Sequence, residues 1–586
     1  LISMADNIQK HLLLLRLPLL ITIFISIFPS ISLSFSITDS FVQCFSSNTT
    51  NPNNNTTSPQ VIFTLNDPSY QPILQSSIRN LIFSQNSTPK PILIITPHNI
   101  FQIQSAITCS KNQGLQVKVR SGGHDYEGLS YTTSYHYHHH EPFIIIDLFN
   151  LRSITINLED ETAWVESGAI VGELYHAIAK ASSVHGFPAG SCHTMGIGGH
   201  VSGGGFGTIF RKYGLAADNI VDATMVDSEG RILNRTLMGE DLFWAIRGGG
   251  GSSFGVITSW KVKIVRVPPT VTIFDISKSV VLEEDDIDDD ASIVSFMKWQ
   301  NIANKLPGEI FLRALMGIRS VNVNGSSTSR TVITISFTGL YLGEADKAVS
   351  LVTENFAELG LQRNNCKQMS WIQSVVYFAG FSYESNIDVL LQRNQTSRSF
   401  KAKSDYVTKP IPVSGLKGLW KKMKMMMLFE EIKNPPVLIL TPYGGRMSEI
   451  SESETPFPHR RGIIYGVQYF VSWNLNNETG KYLMMMRRLY EYMTPYVSKN
   501  PRAAYLNYRD LDLGVNRDKN TSYEEARSSW GSKYFKNNFE RLVKVKADVD
   551  PDNFFWNEQS IPLLSSNYYL VNQVDLDMNE GCWRRW

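Results

Sequence analysis

The sequence predicts an α+β protein of at least two domains. Three observations carry that prediction. The chain has 586 residues, more than one hydrophobic core organises. Between Pro89 and Pro268, short apolar or alternating runs interleave with helical patterns and glycine-rich turns. From about Thr270 to Lys499 the runs lengthen and alternate, as strands of an antiparallel sheet do.

The elements follow in order. Lys10 and Arg16 precede "LPLLITIFISIF" (Leu17 to Phe28), and the small residues of "SISLSFS" come next. That order is a secretory signal, and the run is short for a membrane span. No later stretch has the length and apolarity of a transmembrane helix. The polar "SSNTTNPNNNTTSPQ" (Ser46 to Gln60) reads as a loop. "PILIITP" (Pro91 to Pro97) reads as a buried strand. "NIFQIQSAITCSKNQG" (Asn99 to Gly114) has helical spacing and stops at glycine. "LQVKVRS", "PFIIIDL" and "TAWVESGA" read as strands and "VGELYHAIAKAS" as a helix. Further on, "TVITISFTGLYL" and "IIYGVQYFVSW" alternate as strands, and "WKKMKMMMLFEEI" is an amphipathic helix with core methionines. The acidic "EEDDIDDD" (Glu283 to Asp290) reads as a solvated segment.

Composition excludes some functions. A net charge of +1 gives no global attraction to nucleic acid. The phosphate loop GxxxxGK[ST], HExxH, paired CxxC and the EF-hand loop are absent. "YHYHHHE" (Tyr135 to Glu141) puts adjacent histidines on a short loop, which is poor geometry for a metal, and no metal is expected. Asn48, Asn54, Asn55, Asn86, Asn234, Asn324, Asn394, Asn477 and Asn520 each open a glycosylation sequon. After a signal segment they point to a secreted glycoprotein. Of the five cysteines, Cys44 and Cys109 are the expected structural pair, one near the mature N-terminus and one on the expected helix. Cys366 reads as a buried hydrophobe. Cys192 stands apart, between Ser191 and His193 in a glycine-rich segment.

Two glycine loops carry the chemistry. "VRSGGHDYEGLSY" (Val119 to Tyr131) places a histidine directly after a glycine pair. "GSCHTMGIGGHVSGGGFG" (Gly190 to Gly207) lets backbone N–H groups come close to phosphate oxygens. No strand–GxGxxG–helix with an acidic ribose partner surrounds it, so a diphosphate cofactor in a fold other than the Rossmann type fits.

Those two loops, with "RKYGLAADNIVDA", "GEDLFWAIRGGGGSSFGVI" and "DPDNFFWNEQSIP", resemble the plant berberine bridge enzyme-like family, flavoproteins of the vanillyl-alcohol oxidase class. The similarity runs from about Cys44 to Pro562. It implies a two-domain fold: a signal at 1–36, an FAD-binding part at 37–269, a substrate-binding part at 270–499 with an antiparallel sheet and flanking helices, and a return to the FAD-binding part at 500–566. The tail at 567–586, with Cys582, has no counterpart.

The resemblance implies bicovalent FAD, bonded through His124 to the 8α-methyl carbon and through Cys192 to ring carbon 6. Ser121, Gly122, Gly123, Gly198, Gly199, His200, Gly203, Gly204 and Gly205 are expected to line the cofactor, with His193 and His200 hydrogen-bonding near it. A Cys44–Cys109 disulfide is implied as well. On the substrate side, Tyr126, Gln468 and Tyr508 match catalytic positions of alcohol-oxidising members. Tyr508 is a proton acceptor if its pKa is lowered. The chain departs from the family pattern in three places. Gln468 replaces the glutamate of alkaloid-oxidising members, Gly466 replaces a lysine that assists the tyrosine, and Phe206 replaces a tyrosine. Met195 stands where oxidases of the family carry valine. The expected activity is hydride transfer from an alcohol, phenylpropanoid or carbohydrate, to FAD, with dioxygen or another acceptor taking the electrons. An oxidative cyclase of specialised metabolites and a flavin-loaded binding glycoprotein are the alternatives. The expected location is extracellular, cell wall or vacuole.

Overall fold

The computed structural model describes residues 37–49, 59–133, 141–282, 291–322, 329–394, 396–429, 432–474 and 478–564. The expected signal, "EEDDIDDD", most of "YHYHHHE", the tail with Cys582, and the sequons at Asn54, Asn55, Asn324 and Asn477 lie outside them.

The first half holds two main sheets. Strands β1 (Ile62–Thr64), β2 (Leu93–Ile95), β3 (Gln116–Arg120) and β4 (Phe143–Asp147) form one sheet in the order β1-β2-β4-β3. Its β2, β4 and β3 are parallel, and such strands are buried on both faces. That is why "LII" and "FIIID" are unbroken apolar runs, with Leu93, Ile94, Ile95, Ile144, Ile145 and Ile146 fully buried. The helix Ile100–Asn112 connects β2 to β3 and is capped by Asn99, whose side chain accepts the Gln102 N–H. A Cys44–Cys109 disulfide ties the N-terminal helical segment to it.

The second sheet is antiparallel. It contains β5 (Ile154–Asn157), β6 (Thr162–Glu166), β8 (Ile220–Val226), β9 (Ile232–Leu233) and β10 (Val256–Lys263) in the order β5-β6-β10-β8-β9. The short β7 (His185–Gly186) and β11 (Val265–Arg266) pair beside it.

The second half is built on one antiparallel sheet of seven strands. These are β12 (Val271–Val281), β13 (Ile310–Asn322), β14 (Ser329–Tyr341), β15 (Cys366–Met369), β16 (Ser399–Val407), β17 (Val437–Pro442) and β18 (Tyr465–Trp473), in the order β15-β12-β14-β13-β17-β18-β16. Helices cover one face. Met423 and Met426 of the helix Val413–Phe429 are buried there, while Met425 points outward, as an amphipathic helix requires. Cys366 is buried in the same core. The other face looks towards the glycine loops. After β18 the chain returns, and Ala503, Tyr505, Trp530, Phe539 and Ile561 join the core of the second sheet. Among the described residues no helix is long and apolar enough to cross a membrane. The described sequon residues Asn48, Asn86, Asn234, Asn394 and Asn520 are all exposed.

Candidate active site

A cavity of about 640 Å³ lies between the glycine loops and the open face of the seven-stranded sheet, within the size range of cofactor sites. Each wall follows from local structure. The first loop leaves the carboxyl end of β3, where open parallel sheets place their ligands. Arg120, at that end, is fully buried; it pairs with Asp147 at 2.6 Å and donates to the carbonyls of Ile73 and Leu74. Gly123 adopts φ +68°, and a Cβ there would stand 1.9 Å from the Ser77 carbonyl oxygen, so only glycine fits. Asp125 accepts the N–H groups of Glu127 and Leu129, which turns the chain and sets His124 and Tyr126 against the cavity.

The second loop packs on the first. A Cβ on Gly122 would stand 2.3 Å from the Gly196 nitrogen. Several of these glycines therefore serve chain-to-chain contact. Gly199 is different: no atom lies within 4 Å of its Cβ position, so its backbone opens on the cavity. Ser121, Gly122, Gly123, Gly198, Gly199, His200 and Gly203 line the cavity. Gly204 and Gly205 do not. A Cβ on Gly205 would stand 2.7 Å from His200 Nε2, and the Gly205 N–H donates to Tyr505 Oη at 2.8 Å. The expectation that these two line a cofactor is corrected: they pack the loop against the returning chain.

His124 and Cys192 both line the cavity and share a neighbour, Thr194. Thr194 Oγ1 lies 3.0 Å from His124 Nε2 and 3.5 Å from Cys192 Sγ. Burial, with the nearby Arg79 charge, holds His124 at about 3, so its imidazole is neutral. Burial alone holds His200 at about 4, so it too is neutral, and its Nε2 accepts the Gly190 N–H at 2.9 Å. His193 is not a cavity residue; its ring packs on Phe381 at 5.1 Å.

The opposite wall is strand β18. Its burial alternates, with Tyr465, Val467 and Tyr469 in the core and Gly466, Gln468 and Phe470 on the other face. Gln468 Nε2 donates to Tyr126 Oη at 2.9 Å. The Tyr126 and Tyr508 rings stack at 5.6 Å, nearly parallel. Phe206 meets Tyr508 edge-on at 6.2 Å. Burial raises the pKa of Tyr508 well above 10, with Tyr126 adding to the rise and Arg313 opposing it. The expectation of a lowered Tyr508 pKa is therefore not met by this chain's groups alone.

Three cavity residues escape a reading of local sequence. Arg313, on β13, lines the cavity with its Nε unpartnered and its guanidinium over Phe378 at 5.2 Å. Arg79 lines it near Cys192 and donates to the Arg393 carbonyl. Asn507 donates to the His200 carbonyl and to Tyr505 Oη, both at 2.9 Å. No local signal marks the two arginines. Asn507 adjoins Tyr508, and Gly203 is its counterpart: a Cβ there would stand 2.1 Å from Asn507 Oδ1.

The residues present fit FAD. The walls combine bare backbone, a thiol and a neutral imidazole in one cavity with a polar far wall. The family described as FAD binding domain matches residues 91–236, and the family described as berberine and berberine like matches 504–562. Berberine bridge enzyme-like 28 of Arabidopsis thaliana is 48% identical over 533 residues, covering 90% of this chain and 94% of that protein. Tetrahydroberberine oxidase of Berberis wilsoniae is 46% identical over 508 residues, covering 86% and 91%. The solved wild-type Phl p 4.0202, a glucose dehydrogenase, is 39% identical with a TM-score of 0.79, covering 90% of this chain and 100% of that one. A variant of that protein with valine in place of isoleucine is a glucose oxidase. The chain belongs to the berberine bridge enzyme-like family of FAD-linked oxidoreductases.

Proposed function

We propose that this oxidoreductase takes a hydride from the carbinol carbon of a carbohydrate or phenylpropanoid alcohol, with FAD held covalently at both His124 and Cys192. The observation that carries the reading is the shared cavity. Both candidate attachment side chains and the Tyr126–Gln468 pair line the same space. FAD supplies the two-electron acceptor. The chain's own groups do the rest. Gln468 orients the Tyr126 hydroxyl, whose free lone pair receives a substrate hydroxyl. The Tyr508 ring, stacked on Tyr126, limits how the substrate can lie. Arg313 faces Tyr508 and favours its ionised form, so substrate binding that adds a donor there lets Tyr508 take the proton. Relatives with glucose dehydrogenase activity support the carbohydrate arm. Gln468 in place of the glutamate of alkaloid-oxidising members argues against an amine, although one relative is a tetrahydroberberine oxidase. Met195 on the cavity wall favours an acceptor other than dioxygen. The signal-like N-terminus and the exposed sequons support secretion.

The test has two steps. Acid precipitation should leave the flavin with the protein; complete release overturns double attachment. Anaerobic mixing with glucose, cellobiose, galacturonide oligomers and coniferyl alcohol should then bleach the flavin with one class. No bleaching by any of them overturns the alcohol reading and favours a cyclase or a binding role.

A further inference from the structure

We infer that Thr194 is the positioning residue for flavin attachment: one hydroxyl sets the hydrogen placement of both His124 and Cys192. The inference rests on the double attachment proposed above.

The geometry is specific. Thr194 is fully buried, and its Oγ1 is within hydrogen-bond reach of His124 Nε2 at 3.0 Å and Cys192 Sγ at 3.5 Å. Its backbone is pinned on both sides: the carbonyls of His193 and Met195 accept the N–H groups of Gly172 and Val171, each at 2.8 Å. The Thr194 carbonyl lies 3.1 Å from where a Gly122 Cβ would stand, so the loop that carries His124 packs directly on it.

A threonine hydroxyl has one hydrogen and two lone pairs. Suppose it accepts Nε2–H from the neutral His124. Its own hydrogen then points to Cys192 and supports a thiolate, while Nδ1 keeps its lone pair. The reverse placement puts the histidine hydrogen on Nδ1 and makes the thiol a donor to Oγ1, so neither group is nucleophilic. One rotor thus activates or silences the two groups together. With Nε2 engaged, Nδ1 is the nitrogen left for the bond. Bond formation at Nδ1 replaces one hydrogen of the 8α-methyl group. That proton, the imidazole N–H proton and the electron pair of the broken C–H bond would pass to the flavin, and dioxygen or another two-electron acceptor would then take up the two hydrogens.

The test removes Cys192 so that acid-stable flavin reports His124 alone. Full-length Cys192→Ala, Cys192→Ala/Thr194→Val and Cys192→Ala/Thr194→Ser proteins are precipitated with acid, and both bound and released flavin are measured. Valine keeps the shape and removes the hydroxyl. The expected result is a fall of roughly tenfold in acid-stable flavin for Thr194→Val, matched by a rise in released flavin, and recovery with serine. Equal acid-stable flavin with valine overturns the inference. If Cys192→Ala does not fold, Thr194→Val alone is compared with wild type by the mass of the His124 peptide, with the same two outcomes. Wild-type protein that releases all its flavin overturns the double attachment itself, a result separate from an unaffected valine variant.

Discussion

Gln468 Nε2 donates to Tyr126 Oη at 2.9 Å, joining two residues 342 positions apart. The contact depends on strand register. In β16–β18 pairing, Gln468 faces Ser404, and Gly466 faces Tyr406, all on the cavity side. A slip of one residue would turn Gln468 into the core.

Gln468→Leu should therefore lower the anaerobic rate of flavin reduction by roughly tenfold while flavin stays bound. Stability should fall by about 1–2 kcal/mol, since Tyr126 Oη loses its donor in a buried setting. Stopped-flow reduction and urea unfolding check both. An unchanged reduction rate would remove Gln468 from the site.

Tyr126 and Tyr508 are also held from below. Lys401 pairs with Glu127, and with Asp510 at 2.9 Å. Lys403 bridges Asp510 and Asp512, each at 2.7 Å, and Arg487 reaches Asp512 at 2.7 Å. Arg509 closes on Asp125 at 2.9 Å. These pairs flank both tyrosines in sequence. Lys401→Met should cost about 3–5 kcal/mol in urea unfolding, because it leaves the buried Glu127 carboxylate without its cation while Asp510 and Asp512 keep Lys403. Adding Glu127→Gln should recover part of that loss.

These relations show what a single sequence makes legible. The period of "YGVQYF" puts Gly466 and Gln468 on one face, and the glycine clusters single out His124 and Cys192. Which face of β18 meets a cavity is not local information. Nor is Lys401: it sits in a strand whose residues are all buried, and its partners come from two distant segments, Glu127 in the first glycine loop and Asp510 in the returning chain. Arg313 reads as one polar position in a long alternating strand. Glycine packing misleads in the opposite way. Gly204 and Gly205 belong to the same cluster as Gly203, yet contact with His200, Phe457 and Tyr505 accounts for them.

His200 gives a pH prediction. Its folded pKa, about 4, is depressed below the ordinary 6.5 by burial. The stability it contributes is fully present above 6.5 and is lost as pH falls through 4. At pH 4 the loss is roughly 3 kcal/mol. His200→Gln keeps an acceptor for the Gly190 N–H and removes the proton site. Between pH 7 and pH 4 the wild type should lose roughly 3 kcal/mol of unfolding free energy relative to the variant. Parallel curves would mean His200 is not buried neutral.

Gly466 has room for a side chain. Its Cβ position meets ring carbons of Tyr443 at 3.4 Å and Tyr406 at 3.5 Å, ordinary contacts. Gly466→Lys should fold with a change of no more than about 1 kcal/mol. Its ammonium, on the side of Tyr406 and Tyr443, should move the pH dependence of flavin reduction about one unit to acid. An unmoved profile would mean that no tyrosine in this group takes the proton.

The proposed role of Met195 is to limit access for dioxygen. Its backbone is fixed, with the N–H bonded to the Cys192 carbonyl at 3.3 Å and the carbonyl to the Val171 N–H at 2.8 Å. Substitution therefore changes the side chain and little else. Its terminal methyl lies over Gly190, 2.5 Å from where a Cβ there would stand, so the thioether lies along the cavity wall formed by the second glycine loop. Valine is shorter and withdraws that methyl. Met195→Val should speed reoxidation of the reduced protein by air about tenfold or more, a change of at least roughly 1.4 kcal/mol in barrier. Anaerobic reduction by the same substrate should stay within about twofold, because the Gln468–Tyr126 hydrogen bond and the Tyr126–Tyr508 stacking do not involve Met195. Equal acceleration of both half-reactions would instead mean that Met195 shapes the substrate pocket. Unchanged reoxidation would place the barrier to dioxygen elsewhere on the wall.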